Sequence, residues 1–249
     1  MNRDVLGYRL KLGVVGPATN TIVQPDFDTL RPIGVTNHYG RIRVEDAEGV
    51  SDDSFIAATN IIGDNTLDAV RSILPCKPDH MVLGMSAVTF YGGKAGAAKF
   101  TADIEASCGV RATVGSTALA QALSAFPGVR RVAVLSPYFP VANGEVRRFL
   151  AESGFDVVKD IALQCPSWTS IAEVPETRLV EALKALDGPE VDAIAQVGTN
   201  LSMLRLAAAA ERFLGKPVIA INAATYWSAL RACGVTDRIS GFGSLLEQR

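Results

Sequence analysis

The chain carries one arrangement twice. Leu12-Gly13-Val14-Val15-Gly16-Pro17 is answered by Val132-Ala133-Val134-Leu135-Ser136-Pro137. The run from Asp79 to Ala87 is answered by the run from Asp192 to Asn200, and Ala112 to Thr117 by Ile219 to Ala224. Each member is a short apolar or β-branched run that ends in small polar residues. A strand apolar on both faces belongs in a parallel sheet covered on both sides. Three such pairs in one order restrict the chain to two similar α/β halves. A cleft between them is where a small ligand would sit.

The intervening sequence fits that frame. Strands are predicted at Leu12 to Val15, Ile33 to Thr36, Met81 to Gly84 and Ala112 to Val114, and again at Val132 to Leu135, Val157 to Ile161, Ala193 to Val197 and Val218 to Ile221. Asp52 to Leu74 has helical periodicity, with Phe55, Ile56, Ile61, Ile62, Leu67, Val70 and Ile73 three or four apart. Further helices are predicted at Ala95 to Ala106, Thr117 to Phe126, Asn143 to Glu152, Glu176 to Leu186, Ser202 to Phe213 and Ala224 to Ala232. Strands alternating with helices give an α/β fold of two pseudo-symmetric halves, each a four-stranded parallel sheet flanked by helices. The first half is assigned to residues 1–114 and the second to 115–230, with 231–249 packing back onto the first.

Composition narrows the function classes. Of 249 residues, 48% are hydrophobic and 20% charged, as in a globular protein, and the net charge of −2 is spread without a long run of one sign. A broad basic face for nucleic acid or an anionic membrane is therefore not expected. No stretch has the length of a membrane span, and Met1 to Lys11 lacks a signal-peptide core, so a cytoplasmic location is expected. Cys76, Cys108, Cys165 and Cys233 form no CxxC pair, and His38 and His80 are the two histidines. No metal site and no disulfide is expected from that set. Gly13 and Gly16 do not extend to a dinucleotide fingerprint, and no phosphate-binding GxxxxGK[ST] occurs. No cofactor is expected.

In open parallel sheets, ligands bind beyond the carboxyl ends of the strands. That rule selects Pro17 to Thr21, Asn37 to Tyr39, Met85 to Ala87, Ser116-Thr117, Ser136 to Tyr138, Gly198 to Asn200, and Asn222. Small polar residues with free backbone N–H groups at helix starts suit an anion, although they also serve as ordinary helix caps. His38, read here at a strand end, is a candidate acid or base as well as an ordinary loop residue. Arg43 is a candidate carboxylate partner or a solvated surface residue. Trp168 and Phe90 are candidates for an apolar wall.

At these same segments the chain resembles the aspartate/glutamate racemase superfamily, in the branch that contains arylmalonate decarboxylase and maleate cis–trans isomerase. The resemblance runs along nearly the whole chain. It is carried by Val15-Gly16-Pro17-Ala18-Thr19-Asn20, by Ser86 to Gly93, by Ser136-Pro137-Tyr138, and by Gln196 to Asn200. It implies cofactor-independent chemistry on a small-molecule carboxylate at the interface of the two halves. It places Ser86, Ala87, Tyr138, Thr199 and Asn200 around a carboxylate or dioxyanion, with Pro17 and Asn20 bounding the pocket. Asn222 joins them as an amide donor on its strand-end position alone.

Racemases and isomerases of this superfamily hold a cysteine at a strand end in each half, and the decarboxylase only in the second. The corresponding positions here are Met85 or Ser86 and Gly198. Cys165, in a loop after a strand, is the one thiol within reach of the cleft. Two-base racemisation and thiolate addition both need groups that these positions lack. Decarboxylation needs chiefly donors for an enediolate. The expectation is a lyase of the decarboxylase type, with Ser86, Tyr138 and His38 as its catalytic candidates. The alternatives are an isomerase, tautomerase or hydrolase on the same scaffold, or a non-catalytic carboxylate-binding protein. A homo-oligomer is an open further assembly.

Overall fold

The structure, a computed structural model, describes residues 4–46 and 51–249. Eight parallel strands form two sheets with the same internal order. In the first, β1 (Leu10–Pro17) is flanked by β2 (Val35–Ile42) and β3 (His80–Leu83), and β4 (Ala112–Thr113) follows β3. In the second, β5 (Arg131–Ser136) is flanked by β6 (Asp156–Ala162) and β7 (Ala193–Gln196), and β8 (Val218–Ala220) follows β7. The orders β2-β1-β3-β4 and β6-β5-β7-β8 are the structural form of the sequence repeat. Leu12, Val14, Val15, Met81, Val82 and Leu83 are buried in the first sheet, as are Val132, Ala133, Leu135, Ile194 and Ala195 in the second. A strand buried on both faces needs apolar residues at every position, hence the unbroken runs.

Helices cover both sheets. They are α1 (Val23–Leu30), α2 (Asp52–Ile73), α3 (Ala87–Phe90), α4 (Gly93–Cys108), α5 (Gly115–Ser124), α6 (Pro140–Glu152), α7 (Glu176–Leu186), α8 (Leu204–Leu214), α9 (Ile221–Ala232) and α10 (Ser244–Gln248). Ser51 caps α2: its hydroxyl accepts from Ser54 N at 3.2 Å, and Ser54 Oγ accepts from Ser51 N at 3.1 Å. The apolar face of α2 buries Phe55, Ile62, Val70 and Ile73.

The two halves interlock through their last helices. α9 packs against β3 and β4 of the first sheet, α5 against β8 of the second, and α5 and α9 lie against each other. Phe27 of α1 meets Tyr226 of α9 with ring centroids 4.9 Å apart, both fully buried. One continuous core results. The segment after α9 touches both halves: Arg9 pairs with Asp237, while Ser244 N donates to Glu211 of α8 at 2.7 Å.

β2 and three short helices differ from the sequence reading; α3 and α10 span only four and five residues, too few to show a helical period. β2 runs to Ile42, far past Thr36, and Ile33 is 85% exposed rather than in the strand. The strand lies at a sheet edge, where the half-buried Asn37 and His38 and the exposed Arg41 interrupt its apolar run and mask the strand pattern. The short helix α1 is absent from the predicted set, because Pro25 and two aspartates weaken its helical signal. No helix among the described residues is long and apolar enough to cross a membrane.

His80 opens β3, where it is 4% exposed and its Nε2 lies 2.8 Å from Thr113 Oγ1. Desolvation holds its pKa down to about 4, below the ordinary 6.5. Between those two values the unfolded chain binds the extra proton and the native state does not. Stability therefore rises with pH across pH 4 to 6.5 and is level above it. Acidification from pH 7 to 4 should cost up to about 3 kcal/mol through this one group. Chemical denaturation of His80→Gln at several pH values should show a correspondingly flatter acid limb.

Candidate functional site

The carboxyl ends of the two sheets face each other, and the backbone there has run past its ladder partners. Side chains of the opposite half satisfy it. Thr199 Oγ1, just beyond β7, donates to Gly84 O at 3.1 Å and accepts from Asn20 Nδ2 at 2.9 Å. Asn20 Oδ1 in turn accepts from Ile22 N and Val23 N at 3.0 and 2.9 Å, which caps α1. Asn200 Oδ1 accepts from Thr21 N at 2.9 Å, and its Nδ2 donates to Trp168 O at 2.8 Å. Asn222 Nδ2 donates to Thr199 O at 3.0 Å and to Asp26 Oδ2 at 2.8 Å. Burial raises the Asp26 pKa to about 6, against the Asn222 hydrogen bond and the Arg205 charge, which lower it.

Inside this frame a second set of groups converges. Ser86 Oγ lies 2.9 Å from Tyr138 Oη and accepts from Gly198 N at 3.1 Å. The Ala87 N–H is also directed at the Tyr138 oxygen. Burial pushes the Tyr138 phenol up to about 12, while its bonds to Ser86 and Ala87 N–H oppose the shift, so the phenol is protonated near neutral pH. Two hydroxyls and two backbone N–H groups thus meet in a buried place. Turned from one another onto a ligand oxygen, such groups would stabilise an oxyanion. The Tyr138 ring is fixed from behind by Phe55, at 5.2 Å between centroids, and Phe55 packs on Trp168 at 5.3 Å.

Gly198 is the turn on which this geometry rests. Its φ is +99°, and a Cβ there would strike Pro137 Cδ and stand 2.5 Å from Pro137 Cγ. Both the backbone conformation and the proline ring exclude a side chain.

The cluster opens into a narrow cleft of about 30 Å³. The first half contributes Pro17, Thr19, Asn20, Ile62, Met85, Ser86, Ala87 and Val88. The second contributes Tyr138, Trp168, Ile171, Thr199 and Asn200. A narrower cavity lies behind Tyr138, Trp168 and Ile171 and is completed by Phe55, Ala58, Pro137, Cys165 and Ser167. Cys165 N donates to Pro137 O at 2.9 Å, and burial pushes its thiol pKa up. Trp168 Nε1 is buried without a hydrogen-bond partner.

Of the residues singled out in the sequence, Pro17, Asn20, Ser86, Ala87, Tyr138, Trp168, Thr199 and Asn200 line the cleft, and Gly198 reaches it through its N–H. Four stand elsewhere. Phe90 is buried edge-on against Phe149, 5.4 Å between ring centroids, and does not line the cleft. His38 is not at a strand end: β2 continues beyond it, His38 pairs with Gly13 inside the sheet, and its Nε2 lies 3.0 Å from Thr36 Oγ1. Arg43 follows β2 with its side chain exposed. Asn222 sits in the first turn of α9 rather than at a free strand end, and its amide N–H groups are used by Thr199 and Asp26. The amides of Asn20 and Asn200 are likewise committed to the frame. Thr19 lay within the selected segment Pro17 to Thr21, but sequence reasoning missed Ile62, Val88 and Ile171. Ile62 was visible only as part of the α2 stripe, and nothing in the pattern turned it toward a ligand. Among the described residues, no group of three His, Cys, Asp or Glu is placed to hold a metal ion.

Known proteins resemble this chain in sequence and in fold. The arylmalonate decarboxylase of Bordetella bronchiseptica is 27% identical over 84% of this chain and 92% of its own length. A maleate isomerase of Nocardia farcinica is 31% identical over 56% of this chain and 55% of its own. Among solved structures, a cysteine-to-serine mutant of the Nocardia farcinica maleate cis–trans isomerase, with a covalently bound succinylcysteine intermediate, superposes with a TM-score of 0.86. It is 23% identical and covers 96% of this chain and 99% of that one. A liganded double mutant of arylmalonate decarboxylase superposes at 0.79, with 24% identity over 96% of this chain and all of the other. The family model for arylmalonate decarboxylase matches residues 60–246, and the chain belongs to that family.

Proposed function

We propose that this chain is a cofactor-independent lyase that removes carbon dioxide from a small malonate-type acid. The observation that carries the reading is the buried convergence of Ser86 Oγ, Tyr138 Oη, Ala87 N–H and Gly198 N–H in a cleft that Ile62, Met85, Val88 and Ile171 also line. The retained carboxylate takes these donors. The leaving carboxylate then lies against Ile62, Met85, Val88 and Ile171, where its charge is poorly solvated. Loss of carbon dioxide moves that charge into an enediolate held by the donors. Charge that develops beside preorganised dipoles lowers the barrier.

The strand-end positions favour this reaction over its relatives' alternatives. Racemisation through two bases needs an acceptor on each face of the carbon, and isomerisation by addition needs a thiolate. Met85 and Gly198 stand at the two strand ends where such groups would be held, and the Pro137 ring closes the second against any side chain. Trp168, buried beside the cleft, suits a flat apolar substituent on the acid.

Carbon dioxide release from 2-phenylmalonate, without added metal or cofactor, is the expected activity. Ser86→Ala should lower kcat about 100-fold by removal of one oxyanion donor. Conversion of maleate to fumarate with no release from malonates would favour the isomerase instead. Asn200→Ala should act differently, because its amide ties the loops at Thr21 and Trp168 together. Loss of two buried hydrogen bonds, about 1 kcal/mol each, should lower Tm by several degrees and raise KM more than it lowers kcat.

A further inference from the structure

Decarboxylation leaves a carbon that must take up a proton, and the oxyanion donors alone do not name the acid. The walls of the cleft narrow the choice. Among the described residues that line it, Tyr138 is the one ionisable side chain. Cys165 stands in the cavity behind Tyr138 and Trp168. Gly198 offers no side chain, and the Pro137 ring occupies the place where one would project. Asp26 is separated from the cleft by Asn222 and the Thr199 backbone. His38 lies within β2.

We propose, on the decarboxylase reading above, that Tyr138 delivers the proton to the α-carbon from its phenolic oxygen. As carbon dioxide leaves, the C–C electron pair passes into the enediolate. That pair then forms the new C–H bond, the Tyr138 O–H bond breaks, and a carboxylate is restored. The phenolate is left with the Ser86 hydroxyl and the Ala87 N–H as its hydrogen-bond donors, and it recovers its proton from water. Both stabilising groups are in place beforehand: Ser86 Oγ is 2.9 Å from the phenol oxygen, and Ala87 N–H is directed at it. The order of events protects the acid, since no carbon basic enough to take its proton exists until carbon dioxide has gone. With one fixed donor on one face, the product has one handedness and is not racemised.

The test uses the full-length protein and 2-methyl-2-phenylmalonate in D2O, with the enantiomers of the product separated. Wild type should give one enantiomer carrying deuterium at the α-carbon. Tyr138→Phe should release carbon dioxide about 100-fold more slowly, because one oxyanion donor is lost, and give a racemate, because the fixed proton donor is lost. Cys165→Ala should keep both rate and handedness. Wild-type handedness from Tyr138→Phe overturns the assignment, and a racemate from Cys165→Ala hands the role to the thiol. Should Tyr138→Phe fail to fold, 3-fluorotyrosine in place of Tyr138 keeps the shape and strengthens the acid. The alkaline fall in rate should then move to lower pH, and an unmoved limb overturns the assignment. Failure of the decarboxylase reading looks different: no carbon dioxide from wild type at any pH.

Discussion

Two parallel sheets that meet at their carboxyl ends leave backbone groups with no ladder partner in the middle of the molecule. Buried groups of that kind cost about 1–3 kcal/mol each when unpaired. Here each half supplies side chains to the other. Thr199 bonds Gly84 O, Asn20 bonds Thr199, Asn200 bonds Thr21, and Asn222 bonds Thr199 O. The interface is thus defined by hydrogen bonds with fixed directions rather than by apolar contact alone. The cleft inherits that rigidity, since the residues that hold the halves together are also its walls.

This division of labour explains why so few of the strand-end polar groups remain for a ligand. The amides of Asn20 and Asn200 are consumed by the frame, as are the N–H groups of Asn222. What is left faces inward as hydroxyls and N–H groups that pair with one another across the halves, Ser86 with Tyr138 and with Gly198 N. These are neutral groups at neutral pH, so the cleft presents donors without burying a permanent positive charge. Its field arises from dipoles fixed by β3, β5 and β7, whose strand ends cannot shift without breaking the cross-half bonds.

The architecture was legible in the sequence because parallel strands buried on both faces read as unbroken apolar runs, and both copies of the repeat show them. β2 escaped because it is an edge strand, and its polar Asn37, His38 and Arg41 resemble a loop. That single misreading carried His38 to a false strand end. Asn222 shows a different limit. Its place after an apolar run was read correctly, but α9 begins at Ile221, so the amide points into the frame. Ser86, Tyr138 and Thr199 were found because their strands end where the pattern ends. Ile62 and Ile171 were not, since an apolar residue beside a ligand and one inside a core have the same spacing.

The repeat is symmetric in backbone and asymmetric in chemistry, and the asymmetry has a local cause. At the end of β3 the chain carries Met85, whose side chain lines the cleft. At the end of β7 it carries Gly198 in a left-handed turn under Pro137, with only an N–H to offer. Proline at 137 and glycine at 198 therefore form one unit: the ring fills the volume that a side chain would need, and the missing side chain lets the ring lie there. A pair fixed in this way does not change by one substitution, since a thiol placed at 198 would drive its Cβ into the ring. The backbone repeat is thus kept on both sides, while a side chain at residue 198 is excluded by the packing of one proline.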